Sequence, residues 1–167
     1  MVRKDVPYNQ YLGEVEKQLK SQGLFLTSKG GKVNTMVIGW GGIVFIWGKP
    51  IFMVPVRKSR YTHGLIEKSG EFTVSVPLNK DLKDALMFCG TKSGRDYDKF
   101  KECNLTPIPG KEIDTPVIGE CQLHYECKVI CKLEMDPGNL TPEINSKHYP
   151  DYHTFFLGEI AACYITE

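Results

Sequence analysis

A cluster of cations and hydroxyls is the first feature of this sequence that suggests chemistry. In the segment V-R-K-S-R-Y-T, Val56–Thr62, three basic side chains and two Ser/Thr hydroxyls lie within six residues. Arginine can hold a phosphate through two parallel hydrogen bonds, and hydroxyls complete such a cradle. The segment also precedes a predicted helix, whose first backbone N–H groups and dipole favour an anion. The plainer interpretation is a solvated basic loop with Thr62 as an ordinary helix N-cap.

A second segment of similar character is T-K-S-G-R-D, Thr91–Asp96. Gly94 allows close approach of the backbone, and Lys92 and Ser93 are residue types that bind phosphate. Taken alone, the segment is also compatible with a simple turn between two helices. Its interest is that the two segments could converge on one phosphate.

A third segment, Asn34–Trp40, is a predicted strand that ends in Gly-Trp. Such a strand can lay its backbone against a flat ring, with Asn34 or Thr35 supplying polar contacts, although a plain core strand fits the pattern too. His153 stands before the last predicted strand, where a histidine is most often at the surface or satisfied by a neighbour.

The standard signatures of nucleotide binding and hydrolysis are not met. Gly39-Trp40-Gly41 begins a G-x-G, but Val44 occupies the position that should close G-x-G-x-x-G. Gly48-Lys49 is followed by Pro50 and lacks the earlier glycine of a phosphate-binding loop. The sequence has no G-x-S-x-G, H-E-x-x-H or C-x-x-C motif.

Composition limits the class of protein. The 167 residues and 18.9 kDa predict one domain, 1–167, with a substantial core. Lys+Arg (21) and Asp+Glu (20) nearly cancel, which disfavours a nucleic-acid binder. The N-terminus lacks the apolar stretch of a signal peptide, and the apolar run Met36–Val56 is broken by glycines, Lys49 and Pro50, so neither export nor a membrane span is expected.

The six cysteines predict buried thiols rather than disulfides or a metal site. Without an export signal, reduced thiols in a cytoplasmic protein are expected. Cys121, Cys127 and Cys131 share the apolar face of one predicted strand and are expected to act as small buried hydrophobes. Their spacing suggests no metal ligation.

Periodicity predicts a mostly β protein with three or four short helices. The strand from Cys121 to Met135 alternates over so many residues that it should curve around a barrel rather than lie in a flat sheet. An antiparallel barrel is also expected because its closure removes exposed strand edges. The predicted helices are Tyr11–Ser21, Thr62–Lys68, Asp81–Phe88 and Arg95–Glu102; the other predicted strands are Leu24–Ser28, Val33–Trp40, Ile43–Trp47, Ile51–Val56, Glu71–Val76 and Thr154–Ile165.

These segments, taken together and in this order, resemble the flavin reductase-like FMN-binding split-barrel family, particularly its flavoredoxin-like members. The S-R-Y-T and S-G-R-D-x-D-K-F elements are specific in combination. The matching pieces are N-T-M-V-I-G-W at Asn34–Trp40, W-G-K-P at Trp47–Pro50, V-R-K-S-R-Y-T-H at Val56–His63, L-I-E-K-S-G-E-F-T-V-S-V-P at Leu65–Pro77, C-G-T-K-S-G-R-D-Y-D-K-F at Cys89–Phe100 and H-T-F-F-L-G-E-I at His153–Ile160.

The resemblance implies a homodimeric, Greek-key-like split β-barrel that binds FMN without covalent attachment. It implies that the strand at Thr35–Trp40 lines the isoalloxazine ring of FMN and that the Arg57–Thr62 segment holds the phosphate side of the cofactor. It also implies that the Cys89–Gly94 loop closes over the ribityl phosphate. The predicted cofactor-binding residues are Asn34, Thr35, Met36, Val37, Ile38, Gly39, Trp40, Val56, Arg57, Ser59, Arg60, Tyr61, Thr62, Cys89, Gly90, Lys92, Ser93 and Gly94.

Three functions compete on this resemblance. The first is a flavin reductase that moves hydride from NAD(P)H to FMN, with His153 as a candidate contact of the nicotinamide or flavin and no catalytic acid or base required. The second is a flavoredoxin-type FMN electron carrier with no nicotinamide site, which would take electrons from a partner protein. The third is a non-enzymatic FMN-binding protein. The chain ends at Glu167, so a C-terminal cover over the flavin is expected to be short or missing.

Overall fold

The computed structural model describes residues 2–167, which form ten strands and five α-helices around an antiparallel sheet. The strands are β1 (Arg3–Asp5), β2 (Leu24–Lys29), β3 (Val33–Ile38), β4 (Gly42–Ile46), β5 (Lys49–Arg57), β6 (Glu71–Val76), β7 (Pro107–Ile108), β8 (Val117–Ile118), β9 (Leu123–Glu134) and β10 (His153–Thr166). The helices are α1 (Leu12–Ser21), α2 (Tyr61–Ser69), α3 (Lys83–Thr91), α4 (Lys99–Glu102) and α5 (Pro142–His148), with a 3₁₀ turn at Pro137–Asn139.

The main sheet has the order β3-β2-β6-β9-β10-β5-β4, with β1 added along the end of β10. Its pairings are antiparallel, and β7 and β8 form a separate small ribbon. The predicted mostly β fold with short helices is confirmed. Among residues 2–167 no ladder joins the end strands β3 and β4, so closure into a barrel stays a prediction. Instead, β3 contacts β5 without pairing with it.

The long strands β9 and β10 form the centre of this sheet and bend together. Their register shifts between Leu157 and Gly158 and again between Ile160 and Ala162, and such irregularities increase local twist. A Cβ on Gly158 would lie 2.6 Å from the ring of Phe72 and 2.7 Å from Cys127. Gly158 therefore lets Phe72 of β6 pack directly on the backbone of β10.

Strand β2 is buried on both faces and so joins two cores. Leu24 and Leu26 pack with the interior of the curved sheet and with Val15 of α1. Phe25 points the other way and packs with Leu86 of α3 and with α4. Because α3 and α4 cover this outer face, the loop that joins them is held beside β3, the neighbour of β2. Helix α2 packs against β2, β3 and β5, which brings its N-terminus to the same place.

The polar residues of β9, which alternate with apolar ones, are buried over the first half of the strand. His124 and Glu126 have no exposed surface, because residues 109–115 and β10 cover them. The Glu126 carboxylate accepts hydrogen bonds from the backbone N–H groups of Lys111 (2.6 Å) and Glu112 (2.7 Å) and from the Tyr164 hydroxyl (2.6 Å). Alternation predicts which residues share a face, but not which face a distant loop will cover.

Two of the three cysteines predicted to be buried on one strand are buried. Cys121 and Cys127 are buried in the hydrophobic cores, whereas Cys131 is only half-buried. All six cysteines are free thiols, and residues 2–167 contain no group of three or more His, Cys, Asp or Glu residues arranged to hold a metal. Burial raises the pKa of Cys89 to about 12 and that of Cys121 further still, so these thiols stay protonated at neutral pH.

Two helix predictions are wrong in their bounds, and a third helix was not predicted. The segment predicted as a helix from Arg95 begins only at Lys99, because residues 93–97 form a turn and the Asp98 side chain caps the single turn that follows. α3 begins at Lys83 rather than at residue 81. α5 is capped by Thr141 and lacks a buried face, so its sequence has no apolar periodicity to detect.

No helix of residues 2–167 has both the length and the apolar character needed to cross a bilayer.

Candidate functional site

The two predicted anion-binding segments line opposite sides of one cavity, here called the basic cavity. Its volume is about 320 Å³. Strand β3, the β5–α2 loop, the first turn of α2 and the α3–α4 loop all contribute to its wall. The lining residues are Asn34, Met36, Arg57, Ser59, Arg60, Tyr61, Thr62, Thr91, Lys92, Ser93, Gly94, Arg95 and Lys99.

A second cavity of about 170 Å³ continues from the basic cavity along β3 and is here called the strand cavity. The two share Met36, Arg57 and Arg60, so they are two parts of one cleft in the gap between β3 and β5. Apolar side chains of β3, the rings of Trp40 and His153, and two arginines all contribute to the wall of the strand cavity. It comprises Met36, Val37, Ile38, Gly39, Trp40, Pro55, Arg57, Arg60 and His153.

The basic cavity is strongly cationic. Five basic side chains line it and no carboxylate does, within the part of the chain that the structure describes. The first turn of α2 adds the positive end of a helix dipole, because Arg60, Tyr61 and Thr62 all border the cavity. Thr62 is not the N-cap that the sequence suggested. The helix begins one residue earlier, and the Thr62 hydroxyl instead accepts a hydrogen bond from the Asn34 amide (2.9 Å).

Arg57 and Ser59 are both bonded to the segment that follows α5. The Arg57 guanidinium donates to the carbonyl oxygens of His148 (3.1 Å) and Asp151 and lies 5.4 Å from the ring centre of Tyr149. The Ser59 hydroxyl donates to the Asp151 carboxylate. Arg57 therefore has a second role beyond the cavity wall, since it fixes the α5–β10 connection over this end of the cleft.

Two arginines tie the loops together across the basic cavity. Arg60 Nη1 donates to the carbonyl oxygen of Gly90 (3.2 Å), and Arg95 Nη1 donates to that of Ser59 (3.1 Å). Arg95 also stacks over the Tyr61 ring at 5.4 Å. Because each arginine is anchored on the opposite segment, the spacing of the two segments is set before any ligand arrives.

Gly94 meets the prediction of close backbone approach. A Cβ built on Gly94 would lie 2.1 Å from Asn34 Oδ1 and 2.8 Å from the Tyr61 ring. The loop therefore packs directly on β3 and on the first turn of α2. No other residue type fits at this position without moving one of these groups.

Lys99 is a cavity residue that the sequence reasoning missed. Its ammonium group is buried and donates to the carbonyl oxygens of Thr35 (2.9 Å) and Cys89 (2.8 Å). Burial lowers the pKa of Lys99 to about 8. The sequence analysis placed Lys99 in the predicted helix Arg95–Glu102 and in the S-G-R-D-x-D-K-F element, but gave it no role in the site.

The far end of the strand cavity is aromatic. The rings of Trp40 and His153 are 5.3 Å apart, and the Tyr149 hydroxyl lies 2.9 Å from His153 Nδ1. Burial, with a smaller contribution from the nearby charge of Arg57, lowers the pKa of His153 to about 4. His153 is therefore a neutral, hydrogen-bonded imidazole at physiological pH, and it also lines the cleft.

Four of the predicted cofactor-binding residues are not among the residues that line the cleft. Thr35, Val56 and Cys89 are fully buried, and Gly90 borders a separate surface pocket instead. The Thr35 hydroxyl bonds to Thr27 and to a carbonyl of β2, because alternate residues of β3 point into the core. The other fourteen line one or both cavities. The cavity residues absent from the predicted set are Pro55, Thr91, Arg95 and Lys99, together with His153, which was predicted separately.

The fold and site together define a class: an antiparallel β protein with a cleft between β3 and β5 that is strongly cationic at one end and aromatic at the other. The family model described as "Flavin reductase like domain" matches residues 19–167. The chain belongs to the flavin reductase-like family, which confirms the resemblance seen in the sequence.

Related proteins extend this comparison. The chain is 35% identical over 129 residues to an uncharacterised protein of Archaeoglobus fulgidus, covering 77% of this chain and 63% of that protein. Flavoredoxin of Desulfovibrio vulgaris (Miyazaki F) superposes with a TM-score of 0.68 at 30% identity, over 87% of this chain and 70% of that one. Flavoredoxin from Methanosarcina acetivorans gives a TM-score of 0.68 at 29% identity, over 100% of this chain and 77% of that one.

The packing of Gly94 predicts that Gly94→Ala will destabilise the protein. The added methyl group must displace Asn34 or Tyr61, and overpacking of this kind costs about 1–3 kcal/mol. The matched control is Gly64→Ala, in the middle of α2, where a Cβ meets nothing within 4 Å and alanine favours the helix. Urea unfolding of the three proteins measures the difference. Equal stability of Gly94→Ala and the parent protein would contradict the packing.

Proposed function

We propose that the protein binds FMN in this cleft, with the phosphate in the basic cavity and the isoalloxazine ring in the strand cavity. The observation that carries the proposal is the convergence of two separate cationic segments on one cavity that continues into a second cavity lined by β3, Trp40 and His153. The flavoredoxin similarity at 30% identity supports the same ligand. The residues fit the group: its tail requires positive charge and hydroxyl donors, and its ring requires apolar and aromatic surface.

Strand β3 is suited to hold the ring because it is an edge strand. It pairs with β2 on one side only, so alternate N–H and C=O groups on its other side are free of sheet partners in the described chain. Val37, Ile38 and Gly39 line the strand cavity. Donors along such an edge can hydrogen-bond the polar rim of a flavin and stabilise negative charge there.

We further propose that the protein is an oxidoreductase. When bound, FMN supplies the redox chemistry by accepting a hydride from NAD(P)H. The chain's own contribution is to orient the ring and shield one end of it. Trp40 and the neutral His153 form an aromatic wall there that suits a second planar ring, and neither has to exchange a proton for hydride transfer.

The second candidate is a flavoredoxin-type electron carrier that receives electrons from a redox partner protein. The observation that favours it is the similarity to two flavoredoxins at 29–30% identity. Both candidates require the same FMN site and differ in whether NADH or NADPH reduces the bound flavin.

We also propose that the protein is a homodimer. The two-residue turn between β4 and β5 presents Trp47, which is 58% exposed although its φ of +57° is strained for a bulky residue. Phe45, on the adjoining edge strand β4, is 64% exposed. A costly exposed aromatic pair on an unpaired strand edge fits contact with a second copy of the chain.

The phosphate position predicts a selective effect of Arg60→Ala. Loss of a charge-assisted hydrogen bond should weaken FMN binding about ten- to a hundredfold relative to riboflavin, which has the same ring and no phosphate. Lys58→Ala is the matched control. Lys58 carries the same charge in the same loop, but it pairs with Glu134 at the surface and does not line the cleft. Fluorescence titration of both flavins measures the ratio, and equal losses for the two flavins would place the phosphate elsewhere.

The reductase proposal predicts that NADH or NADPH will bleach the visible absorbance of the FMN-loaded protein within one stopped-flow experiment under anaerobic conditions. Retention of the oxidised spectrum with both nucleotides, together with reduction by a low-potential donor such as dithionite, would favour the carrier. A protein that takes up no FMN would overturn both.

The homodimer proposal predicts a mass of twice 18.9 kDa by sedimentation velocity. The variant Phe45→Glu with Trp47→Gly should run as a monomer while keeping its fold, because glycine relieves the positive φ and glutamate is exposed. A monomeric parent protein, or an unchanged dimer in the variant, would contradict this assignment of the interface.

A further inference from the structure

Lys99 differs from the other cations of the basic cavity in its burial. Of the five basic side chains that line the cavity, the other four are exposed or half-buried, whereas Lys99 is 3% exposed. Buried lysines are rare unless their charge is paired. None of the ion pairs among residues 2–167 includes Lys99.

The hydrogen bonds of Lys99 leave one donor unused. An ammonium group has three N–H donors, and two of them go to the carbonyl oxygens of Thr35 and Cys89. These two carbonyls belong to β3 and to α3, on either side of the cavity floor. The ammonium group is thus held in a fixed position on the wall of the cavity, with one donor and its net charge uncompensated by protein.

We propose that Lys99 is a binding residue for the phosphate of the flavin and that phosphate binding at alkaline pH is coupled to protonation of this side chain. The inference rests on the proposed FMN site and adds to it a specific ligand contact and a proton. A solely structural role, in which Lys99 merely ties β3 to α3, is the alternative to be distinguished.

The proton coupling follows from the surroundings of Lys99. Burial holds its pKa near 8 in the free protein, and the charge of Arg60 also lowers that pKa. Cys89 of α3 and Cys103 after α4 face it as well, but burial raises the pKa of both thiols and so disfavours their charged forms. β3 contributes a carbonyl oxygen. Arg57, Lys92 and Arg95 on the same wall add only positive charge.

A phosphate dianion reverses the balance at Lys99. A phosphate ester has its second pKa near 6, so it carries two charges above about pH 7. An adjacent anion favours the charged form of lysine and raises its pKa. Below about pH 7, Lys99 is therefore protonated with or without ligand. Above about pH 8 the free site loses the proton and the bound site keeps it, so the affinity for FMN falls as pH rises.

The test compares FMN and riboflavin binding by the parent protein, Lys99→Met, Lys99→Arg and the control Lys101→Met, at about pH 7 and about pH 9.5. Lys101 is an exposed residue of the same helical turn. The ratio of the two affinities isolates the phosphate, because any titration of the ring affects both flavins equally. Calorimetry in two buffers of different ionisation enthalpy measures proton uptake directly.

We expect the FMN-to-riboflavin affinity ratio of the parent protein to fall about tenfold between the two pH values, with proton uptake at the higher one. Lys99→Met should lower that ratio about ten- to a hundredfold at pH 7 and remove its pH dependence. Lys99→Arg, which stays charged, should keep a high ratio at both pH values without proton uptake. Lys101→Met should behave as the parent.

Equal losses for FMN and riboflavin in Lys99→Met, or an unchanged pH dependence in Lys99→Arg, would overturn the inference while leaving the FMN site intact. If Lys99→Met does not fold, the pH dependence of Lys99→Arg decides alone. Failure of the parent protein to bind either flavin would overturn the proposed function, and this inference with it.

Discussion

The site depends on how the protein holds several like charges together without neutralising them. Arg57, Arg60, Arg95 and Lys99 each donate to backbone carbonyl oxygens, and Lys32 at the rim donates to the carbonyl of Gly94. A carbonyl oxygen satisfies a donor but carries no net charge, so the cations stay available to an anion. The same bonds fix the loops at a set distance. The repulsion among these cations is energetically unfavourable, and a bound phosphate would reduce it.

The sheet determines where this charge can be used. β3 is the last strand of the hydrogen-bonded sheet and contacts β5 without pairing with it, which leaves a cleft between the two strands. The double burial of β2 is what makes this possible, because α3 and α4 on its outer face carry the Thr91–Arg95 loop to the side of β3. Arg57 links β5 to the α5–β10 segment at the other end of the cleft. Its hydrogen bonds hold the aromatic residues of that segment over the strand cavity.

The parts of this site that local patterns specify were predictable from the sequence. The strand Glu71–Val76 has the predicted bounds, and both cationic segments lie on the cleft, because residue type and spacing determine them locally. The burial of Glu126 and the position of Lys99 on the cavity wall were not predictable, since each depends on which distant segment covers it. Helix α5 (Pro142–His148) was not predicted because it has no buried face, and its sequence therefore lacks the apolar periodicity that indicates a helix. The Thr35 side chain lies outside the cleft for a related reason, as strand alternation turns it into the core.

The most direct measurement is the crystal structure of the protein with FMN. We expect the phosphate between Arg60 and the Lys92–Gly94 loop, within hydrogen-bond distance of Lys99, and the isoalloxazine ring against the edge of β3 beneath Trp40 and His153. A flavin bound outside the gap between β3 and β5, or one whose phosphate lies in the strand cavity, would contradict the account.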